Sequence, residues 1–177
     1  MSLHTESLPP IVVMGVQGSG KSTVAELIAG QIGGRYIDGD RLHPAENVAK
    51  MAAGVPLTDA DREPWLHVIG DVLQTGRGEG IVVVCSALRR AYRDLLRADA
   101  PGTVFVHLHG PFELIASRVG ARSHEYMPPS LLQSQFDALE HLDVDESGIL
   151  LDVADSPQGI ADAAVAFVQA LPSDPTV

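Results

Sequence analysis

Lysine is almost missing from this sequence: its 177 residues include ten arginines but only two lysines, Lys21 and Lys50. Cysteine is scarcer still. The single Cys85 excludes an internal disulfide and fits a reducing compartment. No apolar run is long enough to span a bilayer. Met1 to Pro10 shows no basic segment followed by an apolar one, so a signal peptide is not expected. These absences together point to the cytoplasm. Positive charge is also in deficit, with a formal net charge of −11. That balance argues against a nucleic-acid or membrane-surface partner, which needs a basic face. It weighs mildly against an anionic substrate as well. Surface charges are screened within roughly 8 Å, however, so a few local cations decide matters inside a cleft. Codon composition suffices to explain the arginine bias. Even so, a chain so sparing of lysine places one inside a glycine-rich loop.

The length suits one domain with a sizeable core, and at 45% hydrophobic residues the chain is globular. There are no repeats or low-complexity tracts. We expect a single domain over 1–177, with its core at 9–171 and short tails rich in Ser, Pro and Thr. Short apolar runs at Ile11–Met14, Tyr36–Ile37, Ile81–Cys85, Val104–Leu108 and Ile149–Val153 have the character of buried parallel strands. Helical patterns follow at Ser22–Ile32, Trp65–Leu73 (with Pro64 in its first turn), Arg89–Leu96, Pro111–Val119, Ser130–Leu139 and Pro157–Leu171. Alternating strand and helix predicts an α/β fold with helices on both faces of a parallel sheet. Ligands in such folds sit at the carboxyl ends of the strands, where each motif below falls.

Gly15-Val16-Gln17-Gly18-Ser19-Gly20-Lys21-Ser22 fits G-x-x-x-x-G-K-[ST], after a strand and before a helix. Its glycines let backbone N–H groups converge on phosphate oxygens, and the helix presents its positive end to the same anion. Lys21 would reach the β and γ phosphates, and the Ser22 hydroxyl would ligate Mg²⁺. This is a nucleoside triphosphate site. The motif alone does not specify the reaction.

Asp38-Gly39-Asp40 ends the second strand. Phosphoryl transfer needs a group to hold magnesium and its waters, and another to orient and deprotonate the attacking hydroxyl. Two aspartates can divide those tasks; a turn chosen for its backbone preferences is the competing explanation. From Leu42 to Leu66 the chain is dense in groups that donate or accept, namely His43, Asn47, Asp59, Asp61 and Arg62. Arg62 suits a carboxylate, which a guanidinium grips with two prongs. Asp59 or Asp61 could instead cap the following helix, and Trp65 reads as core. Ser86 could join a magnesium water shell or cap the helix at Arg89. Arg89, Arg90 and Arg93 form either an anion-assisting cluster or a solvated face.

These residues resemble the gluconate kinase (gluconokinase) family. The resemblance is carried by GVQGSGKS, DGDRLHPAENVAKMAAGVPLTDADREPWL, VVVCSALRRAYRDLLR and SLLQSQFDALE, from Ile11 to about Glu140. LDVADSPQGI extends it to about Ile160. The first string is shared by many unrelated proteins; the second is far more specific. The resemblance implies the P-loop nucleoside triphosphate hydrolase fold of shikimate and adenylate kinases. That fold has a five-stranded parallel sheet of order 2-3-1-4-5 and a mobile lid, here about residues 119–129. It implies Mg²⁺-dependent transfer from ATP to D-gluconate, a step of sugar-acid catabolism feeding the pentose phosphate or Entner–Doudoroff route, and a homodimer.

By similarity, Gly15, Gln17, Gly18, Ser19, Gly20, Lys21, Ser22 and Thr23 would bind the phosphates. Arg118 would stack on adenine, and Asp152 to Pro157 would line its pocket. Asp38 would hold a magnesium-bound water. Asp40 would be the base, and His43 and Arg62 would complete the substrate site. Arg122 would reach the phosphates from the lid. Arg118 and Arg122 lie one helical turn apart and could share a face. The competing explanation is that they only favour the negative end of their helix. The lid string Ser123-His124-Glu125-Tyr126-Met127-Pro128 departs from the family: a glutamate stands where a histidine is usual, so no lid-histidine role is assigned. The rival readings are a kinase of another small hydroxy acid, such as shikimate, and a nucleotide-dependent switch without phosphotransfer.

Overall fold

Four residues of unbroken burial at Ile11–Met14 (β1) and again at Ile81–Val84 (β3) mark the centre of the fold. Neither strand has a polar face, so both must be covered on two sides. The computed structural model, which describes residues 8–121 and 129–172, meets that need. Its elements run β1, α1 (Lys21–Ile32), β2 (Arg35–Asp38), a short 3-10 turn (Gly39–Leu42), α2 (Ala45–Ala52), α3 (Asp59–Thr75), β3, α4 (Arg90–Asp99), β4 (Val104–His109), α5 (Phe112–Ala121), α6 (Pro129–Ala138), β5 (Gly148–Asp152) and α7 (Pro157–Ala170). The sheet is parallel throughout, in the order β2-β3-β1-β4-β5, as the resemblance implied.

Strand side chains alternate between faces, and this splits the core in two. Ile11, Val13, Val82 and Val106 face one layer with Val24, Ile28, Ala161 and Val165 of α1 and α7. Val12, Met14, Val83 and Phe105 face the other, with Trp65, Leu66, Ile69, Leu73 and Leu96 of α3 and α4. Among the described residues no helix is long and apolar enough to cross a membrane.

Three expectations are corrected. First, Pro64 does not open its helix. Thr58 does, through a capping box: Thr58 Oγ1 accepts the Asp61 N–H at 3.1 Å and the Asp61 carboxylate accepts the Thr58 N–H at 2.9 Å. Two donors that the helix cannot satisfy itself are thereby paired, and Pro64 lies inside the helix, where it costs one backbone bond. Asp61 thus supports a cap that Thr58 provides. Second, Ser86 is not the cap of α4: that position is Arg89, which makes no side-chain cap bond. Third, Arg89, Arg90 and Arg93 do not act together: Arg89 is exposed and lines the larger cavity described below, while the other two are held in ion pairs. Arg93 is wholly buried and paired with Glu146 through Nε at 2.8 Å and Nη2 at 3.0 Å. Burial pushes the Glu146 carboxyl up, but Arg93, the Asp143 N–H and Arg97 together hold it down at about 2. Arg90 pairs with Asp143 and Asp145 at 2.7 Å. These pairs tie α4 to the connection before β5. The second lysine, Lys50, is likewise structural: it joins α2 to α3 through Asp61 at 2.8 Å in a partly buried contact.

Candidate active site

The loop Gly15–Gly20 joins the carboxyl end of β1 to α1. Gly20 occupies the N-cap position in left-handed conformation (φ 87°), and no side chain caps the helix. The first N–H groups of α1 therefore point into the cavity beyond the strands, which attracts an anion. The loop braces itself: Ser19 N–H and Oγ both donate to the Val16 carbonyl, at 3.3 and 2.7 Å. The Gln17 N–H donates to Gln135 Oε1 of α6 at 2.7 Å. Lys21 Nζ folds over the loop and donates to the Gly15 and Val16 carbonyls, each at 2.9 Å. Burial lowers its pKa to about 8, against the opposing pull of Asp40, Cys85 and Asp38.

A cavity of ≈ 380 Å³ lies over the loop. It is lined by Gln17, Gly18, Gly20, Lys21, Ser22, Thr23, Asp38, Asp40, Ser86 and Gln135. The two aspartates arrive from β2, and the reason for the intervening glycine is steric. A Cβ on Gly39 would stand 2.3 Å from the Val84 carbonyl of β3. The turn is locked by the Asp40 N–H, which donates to Asp38 Oδ1 at 3.0 Å, and by Trp65 Nε1, which donates to the Gly39 carbonyl at 2.8 Å. Trp65 is thus core, as expected, and also a strut under the acidic turn. Burial, then the neighbouring Asp38, raises the Asp40 pKa; Lys21 and His43 pull the other way.

A second cavity, of ≈ 720 Å³, opens beside the first. Its walls include Asp40, His43, Arg62, Trp65, Ser86, Arg89, Tyr92 and Gln135. Asp40, Ser86 and Gln135 line both cavities, so a carboxylate stands at their junction. His43 stacks on Trp65 with centroids 4.1 Å apart and lies 3.2 Å from Asn47 Nδ2. Burial lowers its pKa. Arg62 packs over the Tyr92 ring. Its Nη1 contacts Tyr92 Oη at 3.4 Å and Asp59 at 3.5 Å. Both contacts are long, so the guanidinium fork is weakly held where it faces the cavity. Tyr92 in turn donates to Asp59 at 2.5 Å. A smaller cavity on the far side of the loop brings Arg118 together with Gly18, Gly20, Thr23, Asp155 and Pro157.

Most residues singled out from sequence line these three adjoining spaces; Gly15 does not, and Asp152, expected beside the adenine, lines a separate pocket with His109 and Pro111. Arg122 and the string Ser123–Met127 lie outside the described residues. Sequence reasoning missed Gln135, which braces the loop, and the Tyr92–Asp59 pair behind Arg62. All three sit in segments that carried the family resemblance; Asp59 was singled out there on its own, but no single-residue signal marked Gln135 or Tyr92.

A profile of the shikimate kinase family matches residues 17–155. The thermoresistant gluconokinase of Escherichia coli (strain K12) is 40% identical over 161 residues, covering 89% of this chain and 92% of that one. The gluconokinase of Gluconobacter oxydans (strain 621H) is 43% identical, covering 90% and 91%. The crystal structure of a gluconokinase from Sinorhizobium meliloti 1021 superimposes with a TM-score of 0.84 at 47% identity, covering 93% of each chain.

Proposed function

The chain belongs to the gluconokinase family, within the wider shikimate kinase group, and on that premise we propose that it transfers the γ-phosphoryl group of ATP to a hydroxyl of D-gluconate, giving 6-phospho-D-gluconate and ADP. The observation that carries this reading is the position of Asp40, in the shared wall of the loop cavity and the substrate-sized cavity. A hydroxyl bound in the second space meets a phosphate bound in the first beside that carboxylate.

The step divides among the chain's groups as follows. Loop N–H groups, the N-terminus of α1 and Lys21 hold the triphosphate. The acceptor oxygen attacks phosphorus, the bond to the bridging oxygen breaks, that oxygen leaves with ADP, and the acceptor proton passes to Asp40. The donors beside the loop, Ser22 Oγ and the Asp38 carboxylate, are all oxygen, the set that suits Mg²⁺. We assign the ion to Ser22 directly and to Asp38 through water; when bound it would neutralise charge on the phosphates. Arg62 grips the gluconate carboxylate. His43, kept neutral by burial, accepts from Asn47 Nδ2 at its Nδ1, which leaves the Nε2–H to donate to a sugar hydroxyl. Arg118 and Pro157 frame the adenine. We place the reaction in the cytoplasm, in keeping with a lone buried thiol.

The test is turnover by purified protein with gluconate, other sugar acids and shikimate under identical conditions. Gluconate should give the highest kcat/KM. A preference for shikimate, or no acid-dependent turnover, would overturn the reading. Arg62→Lys keeps the charge and loses the fork. The bonds lost are charge-assisted, so the gluconate KM should rise about 10-fold or more while the ATP KM holds. Should only the ATP KM move, Arg62 is not the clamp.

A further inference from the structure

The mechanism above leaves a group of histidines unused. His107 and His109 are two apart on β4 and so point to the same side of the sheet. His141 reaches them from the connection between α6 and β5. The three rings pack with centroids 4.7–5.6 Å apart, and one nitrogen from each lies within 4.8 Å of the others. His107 is wholly buried, next to Met14 of β1 and Leu150 of β5 in register, yet neither Nδ1 nor Nε2 has a hydrogen-bond partner among the described residues. Edge-to-face packing accounts for the contact of His109 with His141. It does not account for a core imidazole with both nitrogens unsatisfied, which is costly unless something else binds there.

We propose that His107, His109 and His141 bind a divalent transition-metal ion of the Zn²⁺ class, with solvent in the fourth position of a tetrahedron. The donors are imidazole nitrogens throughout, which suit Zn²⁺, Ni²⁺ and Cu²⁺ and not the oxygen-seeking Mg²⁺ of the phosphate site. Metal–nitrogen bonds of about 2.0–2.1 Å require the three nitrogens to draw in from their present spacing. His141 is exposed and off the sheet, so rotation of that ring can close the site. Burial, then His109 and His141, hold His107 down at about 3, so its lone pair is available at neutral pH. Arg93 and Lys21 add positive potential at His107. Arg93 is offset by Glu146 at 2.8 Å, and Asp152 draws positive charge toward His109. The ion would tie β4 to the connection before β5, so its effect should appear as stability.

The experiment uses the full chain, stripped with a chelator and titrated with Zn²⁺ and separately with Co²⁺, without nucleotide or gluconate. One equivalent should bind. Co²⁺ should show the visible bands of tetrahedral nitrogen coordination. Free Zn²⁺ at 100 times its Kd should raise the folded-to-unfolded ratio about 100-fold, read as a rise in Tm. His141→Ala changes an exposed side chain, so its metal-free Tm and its kinase turnover should match the parent. Its Zn²⁺ affinity should fall by about 10-fold or more, so that at the same free Zn²⁺ the Tm rise shrinks to about half the parent's or less. His109→Gln should behave alike. Equal Zn²⁺ binding by parent and His141→Ala, or no binding by the parent, overturns the proposal. So does an equal Tm rise with Mg²⁺. Because no substrate is present, the outcome is independent of the gluconokinase reading.

Discussion

Lys21→Ala lowers kcat by about 10²–10³-fold or more, the loss expected when one preorganised donor to a developing charge is removed, while the protein melts no lower than the parent. The two halves of this expectation come from one feature. Lys21 is held with its ammonium in a desolvated position, and its pKa falls from 10.5 to about 8. A lysine with a lowered folded pKa disfavours the charged folded state at any pH below about 8. That penalty fades between 8 and 10.5 and is gone above. Removing the ammonium at neutral pH thus removes a cost. The loop keeps its shape through Ser19 and Val16. The same shift places the alkaline limb of kcat/KM, which reports the free enzyme, near pH 8 in the parent. Thermal melts and rates on the same preparation check the pairing. A folded variant with near-normal turnover would remove Lys21 from the phosphate site. A variant with a collapsed melting temperature would make the lysine structural.

The legible parts of this fold were those written locally. Each strand was placed to within a residue or two; at β1 and β3 this is because a fully buried parallel strand leaves no polar face to confuse the pattern, whereas the edge strands β2 and β5 are only partly buried. The phosphate loop and the acidic turn were equally local. What could not be read depends on partners far along the chain. Arg93 looked like part of a surface run until Glu146, 53 residues on, neutralised it in the core. Gln135 braces a loop 118 residues away. The α2 helix was missed for another reason. Its stretch is rich in polar residues that suggested ligands, and Val48 and Met51 remain exposed, so no buried stripe announced a helix. Pro64 misplaced the start of α3 because the propensity of one residue outweighed a capping box whose members, Thr58 and Asp61, were both visible. The His107–His109 alternation could be seen in the sequence, but His141 joins it only in three dimensions.

Asp40→Asn keeps the size of the side chain and cannot accept a proton, so kcat should fall by about 10²–10⁴-fold, the usual contribution of a general base. Affinity for ATP should hold, since the loop and Lys21 carry the phosphates. The pKa sharpens the expectation. Burial and Asp38 raise the Asp40 carboxyl above its ordinary value, so the folded state binds its proton more tightly than the unfolded chain does. The ionised group therefore opposes folding at neutral pH, and this penalty disappears as pH falls below the unfolded value. The amide carries no such penalty, so Asp40→Asn should be at least as stable as the parent at pH 7 while far less active. Activity should fall on the acid side through the raised pKa, and the variant should lack that limb. Asp38→Asn should differ: its turnover should recover with added Mg²⁺, with the midpoint moved to higher concentration, and its acid limb should persist. Phosphoryl transfer through a loose transition state asks little of a base, so the size of the Asp40 effect measures how far its role goes beyond orienting the hydroxyl. A single-turnover rate that stays near the parent while gluconate affinity drops would assign Asp40 to orientation alone. An unchanged rate with unchanged affinity would take it out of the reaction.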